Sequence, residues 1–140
     1  MSELLNDTNF VTKNVGAGID LQTGTTLTTV QGNISRENGT VGLIVADNTG
    51  DTVTSNDFLN NGTDGISLRN ADQSQVTLNR VMGNGGNGIA LGPSSVSSGS
   101  DNNFVNGNMI SGNGDGLVDK VRCISGTGNT GNNVTGTGCQ

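Results

Sequence analysis

The sequence predicts an all-β solenoid: one strand of chain wound into five to six coils of about 23 residues, stacked in parallel into a rod. Three observations carry this. A unit recurs at a near-constant step, apolar and polar residues alternate with period two inside each unit, and Asn and Gly return at fixed places between the alternating pieces. The clearest copies are VTSNDFLNNGTDGISL at Val53 to Leu68 and VTLNRVMGNGGNGIAL at Val76 to Leu91, 23 residues apart.

Residues 1–8 read as a lead-in, with Leu4 and Leu5 placed to cover the first rung of a core. Coils then occupy residues 9–119, and residues 120–140 form a terminal coil carrying two cysteines. The first copy holds Asn9, Val11, Asn14, Gly18, Ile19 and Leu21, and the second Asn33, Asn38, Gly42, Leu43 and Val45. In the third, Val53 to Ser55, Asp57 to Leu59 and Gly65 to Leu68 are the strand-like pieces. Val53, Phe58, Ile66 and Leu68 point inward there, and Thr52, Thr54, Asp57 and Ser67 outward. The fourth copy repeats this around Asn79 to Leu91. The fifth, delayed by an insertion at Pro93 to Ser98, reads Asn108, Ile110, Asn113, Gly116 and Leu117. Pieces of three to four residues bounded by Asn and Gly exclude helix.

Two Asn columns result, Asn9/Asn33/Asn56/Asn79/Asn108 and Asn14/Asn38/Asn61/Asn84/Asn113. Asn tolerates the left-handed backbone region, and its amide can bond the equivalent residue one coil above and below. Gly18, Gly42, Gly65, Gly88 and Gly116 mark a corner where a Cβ or a negative φ does not fit.

Composition narrows the function. Only 30% of the 140 residues are apolar and all three aromatics are Phe, which suffices only if each coil buries a narrow strip in register with the next. A net charge of -6 without a basic cluster excludes nucleic acid as a partner. No apolar run reaches the length of a membrane span, so no membrane insertion is expected, and MSELLNDTNF lacks the basic and apolar regions of a signal peptide.

The motifs with chemical associations have plainer readings. Gly83 to Gly88 satisfies G-x-G-x-x-G, but no buried strand precedes it, no helix follows, and Asn84 and Gly88 belong to the columns. GGNGIAL approaches a calcium-binding nonapeptide, yet Ala90 stands where that repeat needs its ligand Asp. The sequons at Asn6, Asn33, Asn38, Asn61 and Asn133 fit turn chemistry better than glycosylation. Outward Thr29, Thr52, Thr54 and Thr77 suggest an ice-ordering face, but Gln31, Gln75 and Asn106 break the rows.

The pattern N-x-[VIF]-x-x-N-G-x-x-G-[IL]-x-[LV] over residues 9–119 resembles the coil of the right-handed parallel β-helix repeat proteins, whose architecture pectate lyases, phage tailspikes and bacterial carbohydrate-associated surface proteins share. That resemblance implies a right-handed parallel β-helix. The tail, DGLVDKVRC and a Gly/Asn-rich turn before a second Cys, resembles the closing segment of secreted members, which implies an intrachain disulfide between Cys123 and Cys139. Free thiols and interchain links remain the alternatives, and geometry decides between them. A disulfide implies an oxidising destination, so an extracellular or surface structure is expected.

Resemblance to pectate lyases would also imply calcium on clustered Asp beside an Arg or Lys base. The chain has no His, Tyr or Trp, ten Asp, two Glu, four Arg and two Lys. The outward column Asp20, Ile44, Ser67, Ala90, Val118 supplies one carboxylate, and Phe10, Ile34, Asp57, Arg80, Met109 pairs Asp57 with Arg80. Lys13 and Glu37 form a similar surface pair. Asp64, Asp115 and Asp101 are the first polar-site candidates, each with an ordinary turn role as its competing reading. Three carboxylates converging beside Arg69 or Arg80 would mark catalysis. No catalytic residue, metal or cofactor is assigned. The expectation is a non-catalytic structural module that stacks end to end with itself as a fibre or surface component, because both ends look lightly covered. The alternative is a carbohydrate-active β-helix, a lyase, epimerase or glycan-binding fragment, with polysaccharide as partner.

Overall fold

The computed structural model describes residues 4–5, 8–93 and 99–135. Each winding of the chain lays down three strands. The first contributes β1 (Leu4–Leu5), β2 (Phe10–Thr12) and β3 (Ile19–Leu21), and the second β4 (Thr29–Gln31), β5 (Ile34–Arg36) and β6 (Leu43–Thr49). The third gives β7 (Thr52–Thr54), β8 (Asp57–Leu59) and β9 (Ile66–Asp72), and the fourth β10 (Gln75–Thr77), β11 (Arg80–Met82) and β12 (Ile89–Gly92). The last gives β13 (Phe104–Asn106), β14 (Met109–Ser111) and β15 (Arg122–Cys123). They form three parallel sheets of five strands, β1-β4-β7-β10-β13, β2-β5-β8-β11-β14 and β3-β6-β9-β12-β15. From first to last rung the chain therefore makes about four turns, slightly fewer than the five to six expected.

Period-two alternation decides which face is inside. Val30, Val53, Val76 and Val105 of the first sheet are fully buried, as are Phe58, Val81 and Ile110 of the second. The third sheet adds the rows Leu43, Ile66, Ile89 and Val45, Leu68, Leu91, and all these residues belong to one apolar core. Four apolar side chains per winding, at about 1.5–3 kcal/mol each, make the low apolar content sufficient. Ser35 is polar at an inward position: it stacks between Val11 and Phe58 in register and donates its hydroxyl to Gly42 O at 2.8 Å.

The expected outward column of the second sheet, Phe10, Ile34, Asp57, Arg80, Met109, is the observed register. In the third sheet the column runs Asp20, Ile44, Ser67, Ala90 and then Arg122 rather than Val118. The Gly116-Leu117 pair looks like the usual corner but sits in a turn, closed by Gly116 N donating to Asn113 O at 3.1 Å. The chain re-enters the core four residues later, at Val121. Pro93 is exposed, while residues 94–98 of the insertion lie outside the described residues, as do the Leu4 and Leu5 side chains that were expected to cap the core.

Candidate functional site

Stacked polar side chains at the corners of the coil are the most organised chemistry in the molecule. In the first column, Asn56 Oδ1 accepts from Asn33 N at 2.9 Å and from Asn33 Nδ2 at 3.2 Å. Asn79 Oδ1 serves Asn56 at 3.0 Å in both bonds, and Asn108 Oδ1 serves Asn79 at 3.0 and 2.9 Å. The second column repeats this from Asn14 through Asn38, Asn61 and Asn84 to Asn113. From Asn38 and Asn56 onward the amides also reach back, as Asn56 Nδ2 does to Val30 O at 2.9 Å, which adds a partner for the buried backbone at the corner. The sequon residues Asn33, Asn38, Asn61 and Asn133 are buried with engaged amides, and Asn6 lies outside the described residues.

The left-handed residue is not the ladder Asn but the one before it. Positive φ falls on Lys13, Glu37, Asn60, Gly83 and Gly112 before the second column, and on Gly32, Ser55, Leu78 and Gly107 before the first. The corner glycines need room rather than a special φ. A Cβ on Gly42 would lie 2.6 Å from Gly65 O and 2.7 Å from Asn61 Nδ2, and none of Gly18, Gly42, Gly65 or Gly88 has positive φ. Gly116 departs from this set, with φ of 70° and open space around it.

A third ladder was not foreseen. Thr28, Asp51, Ser74, Asn103 and Asn129 stack at the corner before the first sheet, all buried. Thr28 N donates to Asp51 Oδ1 at 2.8 Å, Asp51 N to Ser74 Oγ at 3.2 Å, Ser74 N to Asn103 Oδ1 at 2.9 Å and Asn103 N to Asn129 Oδ1 at 2.9 Å. Here too the preceding residues Leu27, Gly50, Gln73, Asn102 and Gly128 have positive φ. Residue identity, which changes at nearly every rung, hid this ladder from the sequence.

The candidate carboxylates are tied into the coil. Asp64 Oδ1 accepts from Asn87 N and Nδ2 at 2.8 and 2.9 Å, Asp101 Oδ1 accepts from Thr127 N at 2.6 Å, and Asp115 Oδ1 closes a local turn with Leu117 N at 3.1 Å. Arg80 and Asp57 form a two-point surface pair at 3.1 and 2.6 Å, and Asp57 draws the guanidinium further toward its charged form. Lys13 lies 3.8 Å from Glu37, and Arg69 Nε donates to Ser67 Oγ at 3.0 Å. Among the described residues no three His, Cys, Asp or Glu side chains gather to hold a metal.

Among the described residues the rod's two ends differ. At the C-terminal end Asp119 pairs with the edge of β14: its N donates to Ile110 O at 2.8 Å and its Oδ1 accepts from Ile110 N at 3.1 Å. Asn133 Nδ2 donates to Asp119 O at 2.9 Å, Val121 N donates to Asn133 O at 3.0 Å, and Val105 N donates to Thr130 O at 2.8 Å. Val121 and Val134 close the core there at 7% and 4% exposure. At the N-terminal end Val15 is 95% exposed, and Val11 and Ile19 are only half-buried. Cys123 ends β15 against the core, and Cys139 lies outside the described residues.

The description of the right-handed β-helix region matches residues 2–139, nearly the whole chain. The chain belongs to the right-handed β-helix family. This β-helix protein is similar in structure to the periplasmic alginate epimerase AlgG, with 20% identity and a TM-score of 0.57 over 87% of the chain. Against an AlgG double mutant, T265N T268M, identity is 19% and the TM-score 0.58 over 89% of the chain. The chain spans 26% of the length of each AlgG structure, and at this identity the likeness shows the fold. No curated protein matches the sequence.

Proposed function

We propose that this β-helix is a non-catalytic structural module that closes a stack of coils in an extracellular or surface assembly. The observation that carries the reading is the inequality of the ends. Among the described residues the C-terminal rung is sealed by Asp119, Val121 and Val134, whereas the N-terminal rung leaves Val11 and Ile19 half-buried and Val15 exposed. Edge strands offer unpaired N–H and C=O groups that template a further parallel strand. The ladder adds a polarity: each Asn donates toward the next coil, so Asn14 turns its acceptor Oδ1 toward the N-terminal end. A donor-bearing rung of another β-helix fits there. The last rung of the first column is closed to such stacking, since Asn133 Nδ2 is folded back onto Asn108 O and Asp119 O. Self-stacking into an indefinite fibre therefore gives way to capping. The carboxylates a reaction would draw on hold coils together instead.

Sedimentation velocity and electron microscopy of the purified chain over a wide concentration range, joined to amide hydrogen exchange, test this. Discrete particles are expected, with β2 and β3 exchanging faster than β14. Long filaments, or equal protection at both ends, refute the reading. The second reading, a carbohydrate-active module, is supported by the shared fold with AlgG, a periplasmic enzyme. Turnover of an acidic polysaccharide would favour it over the first.

A further inference from the structure

Asp51 is the one acid in the third ladder, wholly buried between Thr28 and Ser74. Its Oδ1 has the rung's normal task, accepting from Thr28 N at 2.8 Å. Its Oδ2 is buried and makes no hydrogen bond of normal geometry, the nearby Asn48 amide offsetting that burial only in part, and Thr28 Oγ1 in the coil before it is also buried without a hydrogen-bond partner. An ionised carboxylate oxygen left unpaired away from water is costly.

The Asn rungs of the same column show what the site is shaped for. Asn103 uses its second heteroatom as a donor, with Nδ2 giving to Ala71 O at 2.7 Å and to Asn129 Oδ1 at 3.0 Å. A carboxylate offers only acceptors, whereas a protonated carboxyl has one O–H to give. The surrounding charges do not compensate an anion. β4, β7 and β10, which start beside the column, carry no charged residue. On β6, Asp47 accepts from Asn70 Nδ2 at 2.8 Å; on β9, Asp72 accepts from Asp101 N at 2.8 Å, and Arg69 is turned to Ser67. Asp101 adds a further negative group, bonded to Thr127.

We propose that Asp51 is a proton-binding rung: the solenoid takes up a proton there on folding, so that the third ladder tightens in acid and loosens as the carboxyl ionises. Burial pushes this carboxyl up from 3.8, against the opposing pull of Thr28 N–H and the Asn48 amide. The sign follows from linkage. Where the folded state binds the proton more tightly, stability is fully present below the unfolded value of 3.8 and is lost as pH rises through the raised folded value.

The test pairs urea unfolding of the natural chain and Asp51→Asn from acid to neutral pH with a carbon-detected NMR titration of the Asp51 carboxyl. The amide variant is expected to unfold at a higher urea midpoint at neutral pH, with the gap closing as pH falls toward 3.8. The Asp51 carboxyl resonance is expected to titrate above 3.8 in the folded protein. A gap that does not change with pH, or a resonance that titrates at or below the unfolded value, overturns the proposal. If the variant does not fold, the NMR titration of the natural chain decides alone.

Discussion

Replacing Asn56 by Ala isolates what one central ladder rung contributes. The change removes the acceptor for Asn33 N and Nδ2 and the donor to Val30 O, Thr54 O and Asn79 Oδ1. Part of the loss is covered by what remains. Asn33 Nδ2 keeps Gln31 O at 3.0 Å, and Asn79 Oδ1 keeps the backbone N of residue 56 at 3.0 Å. The group left exposed to the full cost is Asn33 N–H, in buried surroundings, while Val30 O stays within the parallel ladder of β4 and β7. At about 1–3 kcal/mol for one buried unsatisfied group, Asn56→Ala should cost about 1–3 kcal/mol. That is a large share of the ~5–15 kcal/mol by which domains are stable. Asn14→Ala removes only one side-chain bond, to Asn38 Oδ1 at 3.0 Å, from an exposed residue, and should cost about 0.5–1.5 kcal/mol. With no Trp or Tyr to report by fluorescence, urea unfolding followed by far-ultraviolet circular dichroism is the assay. Equal costs for the two variants would refute the claim that the ladders hold the coil corners.

Two other expectations concern the backbone and the tail. Leu78 holds φ of 56° while 66% exposed, and the three other residues that precede a first-column Asn with positive φ, Gly32, Ser55 and Gly107, include two glycines. Relief of a left-handed β-carbon at about 1–2 kcal/mol, less the extra chain entropy of glycine, should make Leu78→Gly more stable by about 0.5–1 kcal/mol, seen as a higher urea midpoint. An intrachain link between Cys123 and Cys139 closes a loop for which chain entropy gives about 3 kcal/mol. Thiol labelling in denaturant without reductant should then find no free thiol, and reduction should lower the midpoint; two reactive thiols would remove the link.

The legibility of the chain followed the chemistry of each position. Sheets and core rows were readable because Val53, Phe58, Ile66 and Leu68 have like counterparts 23 residues on, and the structure puts all four in the core. The two Asn columns were readable because the same amide serves at every rung. The third was not, since Thr28, Asp51, Ser74, Asn103 and Asn129 share only a place at the corner and an acceptor oxygen in four of the five. The last winding misled because Gly116-Leu117 copies the corner's residue types. The extra residues before Val121 let Asp119 turn back onto Ile110, a contact with no precedent in the earlier copies.

The ladders also separate the two things a corner needs. One residue bends the chain by taking positive φ, and the next spans the coils with a side-chain acceptor. The bending position accepts Gly, Ser, Lys, Glu, Gln, Asn or Leu. The spanning position is buried and must satisfy backbone on both sides, which is why two columns hold almost nothing but Asn. Asp51 occupies a spanning position with a side chain that can accept as Asn does but can donate only when protonated. A rod whose coils are joined rung by rung transmits such a local change mainly to its nearest neighbours. The consequence of ionising Asp51 should therefore be concentrated at the Thr28 and Ser74 corners and fade along the ladder, and amide exchange at Thr28 N and Asp51 N is where pH should be felt first.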